Sequence, residues 1–252
     1  MAGHHRRLDR QPPRPAMTGP MPAGSPRARV VAWPGCLNAR DLGGLPIERG
    51  GATRAGVLFR ADRPRAQSVE AILAHGVSRV LDLRLDAEAR ADPSPLAGMP
   101  VYRRVSVLRP EDTELEAMGE SLPEIYRAIL DRGRANLAAA LGAIARAPAG
   151  GVLVHCHSGR DRTGLVVALA LSLAGVPDAE IAADYALTAT FLRPEVVAAP
   201  RSVLLFAEIT AATMLATVAH LRRAYGGAEP YLLGGGLRPE EVALIRDRLG
   251  CA

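Results

Sequence analysis

The feature that most constrains the fold is a wholly apolar run, Val152–Val154, that leads straight into a polar loop and then into a helix. The loop, residues 155–164, reads His-Cys-His-Ser-Gly-Arg-Asp-Arg-Thr-Gly and is called the signature loop below. The apolar run is typical of a buried strand, and the segment from near Thr163 to Gly175 is typical of a helix. Ligands of open α/β sheets bind beyond the carboxyl ends of strands, where helix N-termini present unpaired N–H groups. We therefore expect the signature loop to be the functional site.

Strand-like and helix-like segments alternate through the rest of the chain. The predicted strands cover residues 57–59, 77–83 and 101–108, and the predicted helices cover 69–73, 121 to about 146 and most of the chain after 178. Ser68 is the predicted cap of the first helix, and Ser121 with Glu124 forms a capping box that starts the second. This alternation favours an α/β fold with a mainly parallel central sheet flanked by helices.

Positive charge is concentrated at the N-terminus. Residues 1–29 hold six arginines and one acid, so they carry the whole formal net charge of +5, and residues 30–252 are balanced. This Pro- and Arg-rich segment shows no hydrophobic periodicity, so we expect a disordered tail over 1–29 followed by one domain over 30–252. Because the domain has no overall basic footprint, no nucleic-acid partner is expected.

The cysteines and the apolar stretches predict the cellular setting. The chain has three cysteines, Cys36, Cys156 and Cys251, which form no even disulfide framework and so favour a reducing, cytoplasmic location. The tail lacks the apolar centre of a secretory signal peptide. The longest apolar stretches are 165–176, which is too short to cross a bilayer, and 202–221, which contains an acid and a histidine. No integral membrane segment is therefore expected.

The signature loop combines a thiol, a set of amides and a guanidinium. Cys156 precedes a helix N-terminus, a position that favours the thiolate, and Thr163 can donate its hydroxyl hydrogen to the sulfur. The planar fork of Arg162 suits two phosphoryl oxygens, and the loop amides suit a tetrahedral oxyanion. These parts predict nucleophilic attack by sulfur on a phosphate monoester. The predicted substrate-binding residues are His157, Ser158, Gly159, Arg160 and, from a neighbouring strand end, Asp82.

The order His-Cys, five residues, Arg-Thr-Gly resembles the signature of the cysteine-dependent protein tyrosine phosphatase superfamily. Other segments resemble the bacterial tyrosine phosphatases of the IphP or PtpB type. They are Asn38–Gly44 (NARDLGG), Leu58–Asp62 (LFRAD), Asp82-Leu83-Arg84 with Glu88 shortly after, Asp184–Thr188 (DYALT) and the closing stretch 225–249. The resemblance covers about residues 30–250. It departs from the family at Arg160, where a lysine is usual; the chain contains no lysine at all.

The resemblance implies a tyrosine phosphatase-like fold and a metal-independent enzyme that needs no cofactor. It implies hydrolysis of phosphate monoesters through a cysteinyl-phosphate, with a phosphorylated protein or peptide, above all phosphotyrosine, as the partner. Phosphoserine, phosphothreonine and phosphoinositide remain open as substrates. A non-catalytic phosphate-binding module and a thiol oxidoreductase such as an arsenate reductase are the alternative functions. The resemblance also implies a helical lid over the site, whereas the apolar periodicity of 202–221 fits core packing equally well.

The general acid is open among three carboxyl groups. The resemblance implies Asp161, inside the loop. Asp82 ends a predicted neighbouring strand, and Asp112 lies in an acidic loop, 110–120, ahead of the long helix. A positioned acid contributes about 10²–10⁴-fold to such a reaction.

Several residues around the loop have predicted supporting roles. His155 is expected to hold the loop by hydrogen bonds. Asp41, with Arg40, is expected to lock the turn at Gly43-Gly44, with direct ligand contact as the alternative. Arg60 and Arg84 are expected to be buried ion-pair partners, and Cys36 could form a protective disulfide with Cys156.

Overall fold

The computed structural model describes residues 29–112, 121–192 and 205–250. Nearly all of the predicted tail, most of the acidic loop 110–120 and the first residues of 202–221 lie outside the described residues. Among the residues that are described, no helix has the length and apolar character needed to span a membrane.

A five-stranded sheet forms the centre of the described structure. The strands are β1 (Arg40–Asp41), β2 (Leu58–Ala61), β3 (Val77–Asp82), β4 (Tyr102–Arg104) and β5 (Gly151–His155), in the spatial order β1-β2-β5-β3-β4. All neighbouring pairs are parallel except β1 with β2. The predicted mainly parallel sheet is thus confirmed.

The register of the sheet brings three strand ends together beside the signature loop. Strand β5 is the central strand, and all five of its residues are buried. Its last residue, His155, pairs with Ala61 at the end of β2 and with Asp82 at the end of β3. Because these strands are parallel, whatever follows them lies at the same edge of the sheet, and this edge receives the loop.

Helices cover both faces of the sheet. They are α1 (Val69–Ala74), α2 (Asp86–Ala91), α3 (Leu122–Arg132), α4 (Arg134–Ala145), α5 (Asp161–Leu173), α6 (Asp178–Ala186), α7 (Thr188–Phe191), α8 (Ala211–Tyr225), α9 (Ala228–Leu233) and α10 (Pro239–Leu249). Alternate residues of β5 enter different cores: Val152 and Val154 join the larger one, and Leu153 joins a smaller one that contains Trp33 and Phe59. This alternation is what a sheet buried on both faces requires.

The long helix predicted from Ser121 to about Arg146 is wrong in one respect, because the structure has two helices, α3 and α4, that meet at Gly133. A Cβ at this position would lie 2.6 Å from the carbonyl oxygen of Ile129, so the break is tight and needs a glycine. Ser121 occupies the N-cap position of α3, but its side chain makes no capping hydrogen bond. The strand predicted over 101–108 is shortened to β4.

The sequence predicts for 202–221 either a helical lid over the site or a helix packed in the core. Helix α8 contains most of this segment. Met214, Val218 and Leu221 are buried in the larger core. For 211–225 the core-packing alternative is therefore confirmed, and the helical character of the C-terminal part is confirmed with it.

A buried cluster of arginines joins helix α6 to the edge of the sheet. The carboxylate of Asp184 is fully buried and accepts hydrogen bonds from Arg40 Nε at 2.9 Å, Arg60 Nη1 at 2.9 Å and Arg29 Nη1 at 3.2 Å. Burial alone would raise the pKa of Asp184, but the charges of Arg40 and Arg60 outweigh it and hold the pKa well below its usual range. We call these four residues the Asp184 cluster.

Replacing Asp184 tests how much this cluster stabilises the fold. Asp184→Asn leaves three arginines without their buried anion, so we expect the free energy of unfolding at pH 7 to fall by about 3–5 kcal/mol. The lowered pKa means that the stabilisation is fully present above the unfolded carboxyl pKa of about 4, and is lost as the pH falls from there toward the folded-state value. Urea unfolding followed by circular dichroism from pH 3 to 8 measures both effects.

Asp178→Asn is the matched control, because Asp178 pairs with Arg222, whose side chain is 61% exposed. That exposed pair contributes less than about 1 kcal/mol. Equal losses in the two variants would contradict the role given to the Asp184 cluster.

Candidate active site

The signature loop runs from the end of β5 to the start of α5. Cys156 is the first residue after the strand and is buried, with 1% of its surface exposed. Asp161 and Arg162 open helix α5, so thiol, carboxyl and guanidinium all belong to one short stretch at the carboxyl edge of the sheet. This is the strand–loop–helix placement that the sequence predicts.

The carbonyl groups of the loop are held from outside. The carbonyl of His157 accepts the backbone N–H of Arg63 at 3.0 Å. Asn38 Nδ2 donates to the carbonyls of Ser158 at 3.3 Å and Gly159 at 3.1 Å. In a trans peptide the following N–H points away from the carbonyl. The amides of residues 158–160 therefore face the opposite side of the loop, as an anion-binding nest requires.

Gly159 allows the loop to approach strand β2 closely. Its φ of +69° lies in the left-handed region that favours glycine. A Cβ here would overlap the carbonyl oxygen of Ala61 and lie 2.8 Å from the backbone nitrogen of Asp62. Its carbonyl also accepts Arg60 Nη2 at 2.7 Å, which connects the loop to the Asp184 cluster.

Asn38 is itself held in place by two of the segments that resemble the phosphatase family, NARDLGG and LFRAD. Its side-chain oxygen accepts a hydrogen bond from Arg40 Nη1, and its backbone N–H donates to Asp62 Oδ1 at 3.2 Å. The NARDLGG segment thus supplies the donor for the loop carbonyls, and the LFRAD segment holds that donor in place. The sequence resemblance did not assign this function to Asn38.

Arg162 is oriented by a carboxylate from helix α2. Both terminal nitrogens of its guanidinium donate to Glu88, Nη2 to Oε1 at 2.9 Å and Nη1 to Oε2. Burial would raise the pKa of Glu88, but Arg162 outweighs it and the pKa is lowered, so the carboxylate is ionised at neutral pH. Sequence reasoning did not assign this orienting role to Glu88; its place after Asp-Leu-Arg was the signal.

Asp161 is bound by two side chains. Tyr126 Oη donates to its Oδ1 at 2.6 Å, and Arg160 Nε donates to Oδ1 at 2.8 Å and to Oδ2 at 2.9 Å. Arg160 therefore contacts the candidate acid rather than extending away from the loop.

The hydroxyl of Thr163 is buried without a hydrogen-bond partner among the described residues, so the predicted bond to the cysteine sulfur is not found.

Asp82 does not fit the roles of proton donor or substrate-binding residue that the sequence predicts. It is fully buried, its carboxylate accepts Arg84 Nη2 at 2.7 Å and Tyr102 Oη at 2.9 Å, and Arg84 Nε bonds both oxygens. Burial raises the pKa of Asp82, but His155 and Arg84 outweigh it, and the net shift is downward. The strand end was predicted correctly, but Arg84, two residues on, captures the carboxylate. Arg84 and, in the Asp184 cluster, Arg60 are confirmed as buried ion-pair partners.

His155 fits the supporting role. It is fully buried, its Nδ1 lies 2.9 Å from the carbonyl oxygen of Cys156, and burial lowers its pKa, so the ring is neutral at pH 7. His157 is exposed, and burial of part of its ring, together with the nearby Arg63, lowers its pKa as well.

Asp41 locks a turn, as one of its two predicted roles proposes. Its Oδ1 accepts the N–H of Gly43 at 2.9 Å, and its Oδ2 accepts the N–H of Gly56 at 2.8 Å.

Asp112 ends a short 3-10 turn, Pro110–Asp112, at the limit of the described chain. Cys36 and Cys156 are free thiols. In the described ranges, no three His, Cys, Asp or Glu side chains form a group that could hold a metal ion.

Comparison with known proteins agrees with this geometry. A sequence profile described as "Tyrosine phosphatase family" matches residues 31–250. The chain belongs to this family. It is 32% identical over 262 residues to a tyrosine-protein phosphatase of Nostoc commune, covering 92% of this chain and 80% of that protein. It is 29% identical over 171 residues to a candidate tyrosine-protein phosphatase of Cupriavidus necator, covering 62% of this chain and 61% of that protein.

Gly159→Ala tests the close approach of the loop to β2. The variant must displace the loop from Ala61, and since a misplacement of about 1 Å can cost about 10²-fold, we expect kcat/KM on p-nitrophenyl phosphate to fall at least that far. Gly175→Ala is the control: its φ is +80°, but a Cβ there meets only Ile47 Cγ2, at 3.5 Å. It introduces the same backbone strain at the end of α5 and should leave kcat/KM unchanged. Equal losses of kcat/KM in the two variants would show that the close approach of the loop to β2 does not matter for activity.

Glu88→Gln tests the orientation of Arg162. The substitution keeps the shape of the side chain but removes its charge, so the fork loses its fixed position and kcat/KM on p-nitrophenyl phosphate should fall by about 10–10²-fold. Asp86→Asn in the same short helix breaks only the half-exposed pair with Arg104 and serves as the control. Steady-state kinetics of the two variants gives the comparison. A Glu88→Gln enzyme as active as Asp86→Asn would show that the carboxylate does not orient the guanidinium.

Proposed function

We propose that the protein is a metal-independent phosphatase that hydrolyses phosphate monoesters, above all phosphotyrosine in proteins, through a cysteinyl-phosphate. The observation that carries this proposal is the set of hydrogen bonds that the carbonyls of residues 157–159 accept from outside the loop, which leaves the following amides facing the other way. Such a nest suits the equatorial oxygens of a phosphoryl group. Family membership supports the same reaction.

In the first step the thiolate sulfur of Cys156 attacks phosphorus. A sulfur–phosphorus bond forms, the bond from phosphorus to the ester oxygen breaks, and that oxygen leaves with its electron pair and takes a proton from Asp161. The loop amides and Arg162 hold the phosphoryl oxygens throughout. The role of Glu88 is to keep the fork of Arg162 facing them.

In the second step water attacks the phosphorus of the cysteinyl-phosphate. The new phosphorus–oxygen bond forms as the sulfur–phosphorus bond breaks, the proton of water passes to Asp161, and inorganic phosphate leaves with the thiolate restored. Each cycle thus returns the acid to its starting protonation state. The charge that a metal would supply comes from Arg162 and the amide nest.

A phosphotyrosine peptide is the proposed substrate, and the names of the two relatives support this choice. A phosphoinositide headgroup is the second candidate, because Arg160 preserves the positive charge at a position where the family usually has a lysine. Against it, Arg160 is hydrogen-bonded to Asp161 through both carboxylate oxygens. Initial rates on a phosphopeptide panel and on soluble phosphoinositides rank the two.

The reaction itself is tested with p-nitrophenyl phosphate and phenyl phosphate. Wild-type turnover should be unaffected by a chelator, and Cys156→Ser should abolish it, because a serine hydroxyl is a far weaker nucleophile than a thiolate. Asp161→Asn should slow phenyl phosphate by about 10²–10⁴-fold and p-nitrophenyl phosphate much less, because only the poorer leaving group needs the proton. Asp112→Asn, at another of the candidate acids, should keep the wild-type ratio of the two rates. Turnover by Cys156→Ser would end the proposal.

A further inference from the structure

Two buried tyrosines from different helices extend a hydrogen-bonded chain from the candidate acid, and the first of them contacts it. Tyr126 from α3 and Tyr185 from α6 are both at most 1% exposed, and their rings meet edge to face with centroids 6.0 Å apart. The hydroxyl oxygens lie 2.6 Å from each other, and Tyr126 Oη lies 2.6 Å from Asp161 Oδ1. Three side chains from three helices thus form one hydrogen-bonded chain.

The direction of the hydrogen bonds in this chain follows from counting protons. Each tyrosine hydroxyl has one hydrogen to donate. An ionised carboxylate only accepts, so Tyr126 donates to Asp161 and Tyr185 donates to Tyr126. Burial and the charge of Asp161 raise the pKa of both tyrosines well above the usual value, so both hydroxyls keep their protons.

We propose that Tyr126 and Tyr185 are positioning residues that hold Asp161 Oδ1 and leave Oδ2 as the oxygen that carries the catalytic proton. This proposal rests on the proposed function, in which Asp161 is the general acid. Tyr126 is sealed in the core and keeps its place on Oδ1. Among the described residues, Oδ1 accepts from both Tyr126 and Arg160, whereas Oδ2 accepts from Arg160 Nε alone, whose side chain is 24% exposed.

The groups that face Asp161 in this network come from four elements. Arg160 from the loop and Tyr126 from α3 contact it, Tyr185 from α6 lies behind Tyr126, and Arg60 from β2 lies near Tyr185. The position of Oδ1 is therefore fixed by hydrogen bonds from two side chains.

Gly164 makes room for this arrangement. A Cβ on Gly164 would lie 3.1 Å from Cδ2 and 3.2 Å from Cε2 of the Tyr185 ring, closer than ordinary contact. The glycine of the Arg-Thr-Gly motif therefore lets the tyrosine ring lie directly against the first turn of α5, where its hydroxyl reaches Tyr126. This gives a residue of the signature loop a structural link to the acid.

The test compares kcat on phenyl phosphate, a substrate that needs the acid, with kcat on p-nitrophenyl phosphate, which needs it much less. Tyr126→Phe removes the donor that holds Oδ1, so we expect kcat on phenyl phosphate to fall by about tenfold and kcat on p-nitrophenyl phosphate to fall less. Tyr185→Phe should change the ratio of the two kcat values in the same direction by a smaller amount.

Tyr231→Phe is the matched control, because Tyr231 is equally buried but its hydroxyl donates to the carbonyl of Leu130 at 2.6 Å. It should lose similar thermal stability and keep the wild-type ratio of the two kcat values. An unchanged ratio in Tyr126→Phe, with a changed ratio in Asp161→Asn, would overturn the positioning role alone. An unchanged ratio in Asp161→Asn would overturn the assignment of the acid, and turnover by Cys156→Ser would overturn the proposed function. If Tyr126→Phe does not fold, the ratio measured for Tyr185→Phe decides.

Discussion

Three consecutive carbonyl groups of the signature loop accept hydrogen bonds from donors that the loop does not contain, and the direction of its amides depends on this. Arg63, Asn38 and Arg60 supply those donors from the segments around β1 and β2. A free loop of this length would turn its carbonyls and amides both ways. The segments around these strands therefore determine which way the amides of the loop face, although the amides themselves belong to the loop.

Acids from other elements hold the arginines that surround this loop. Asp184 from α6 holds Arg60, Glu88 from α2 holds Arg162, and each carboxylate is kept ionised by the cation it binds. Buried ion pairs add little to stability by themselves, but removing one partner is costly. Their value here is geometric, because Asp184 and Glu88 fix where the guanidinium groups of Arg60 and Arg162 lie beside the loop.

Local patterns were enough to predict the parts of the fold that local physics determines. The buried strand β5, the loop and helix α5 follow from an apolar run, glycines and a helix start, and their placement at the sheet edge follows from parallel topology. The break at Gly133 was missed because a lone glycine is often tolerated inside a helix. The sequence does not reveal that the side chain of Arg84 folds back onto Asp82, which argues against the roles predicted for that carboxylate.

Contacts between distant elements are the part of the site that the sequence could not predict. Tyr126 reaches Asp161 across 35 positions, and Asn38 reaches Gly159 across 121. No periodicity or spacing encodes such pairs, since each depends on how helices and strands pack. The family resemblance pointed to the segments that contain Asn38 and Glu88, without saying what either side chain touches.

The close approach of Gly159 to the backbone of Ala61 also limits how the loop can move. Because no Cβ separates the two backbones, the loop has no space to move further toward β2. A site that holds its shape before a ligand arrives spends less of the interaction energy on ordering itself. The absence of a side chain at Gly159 therefore favours a preorganised loop.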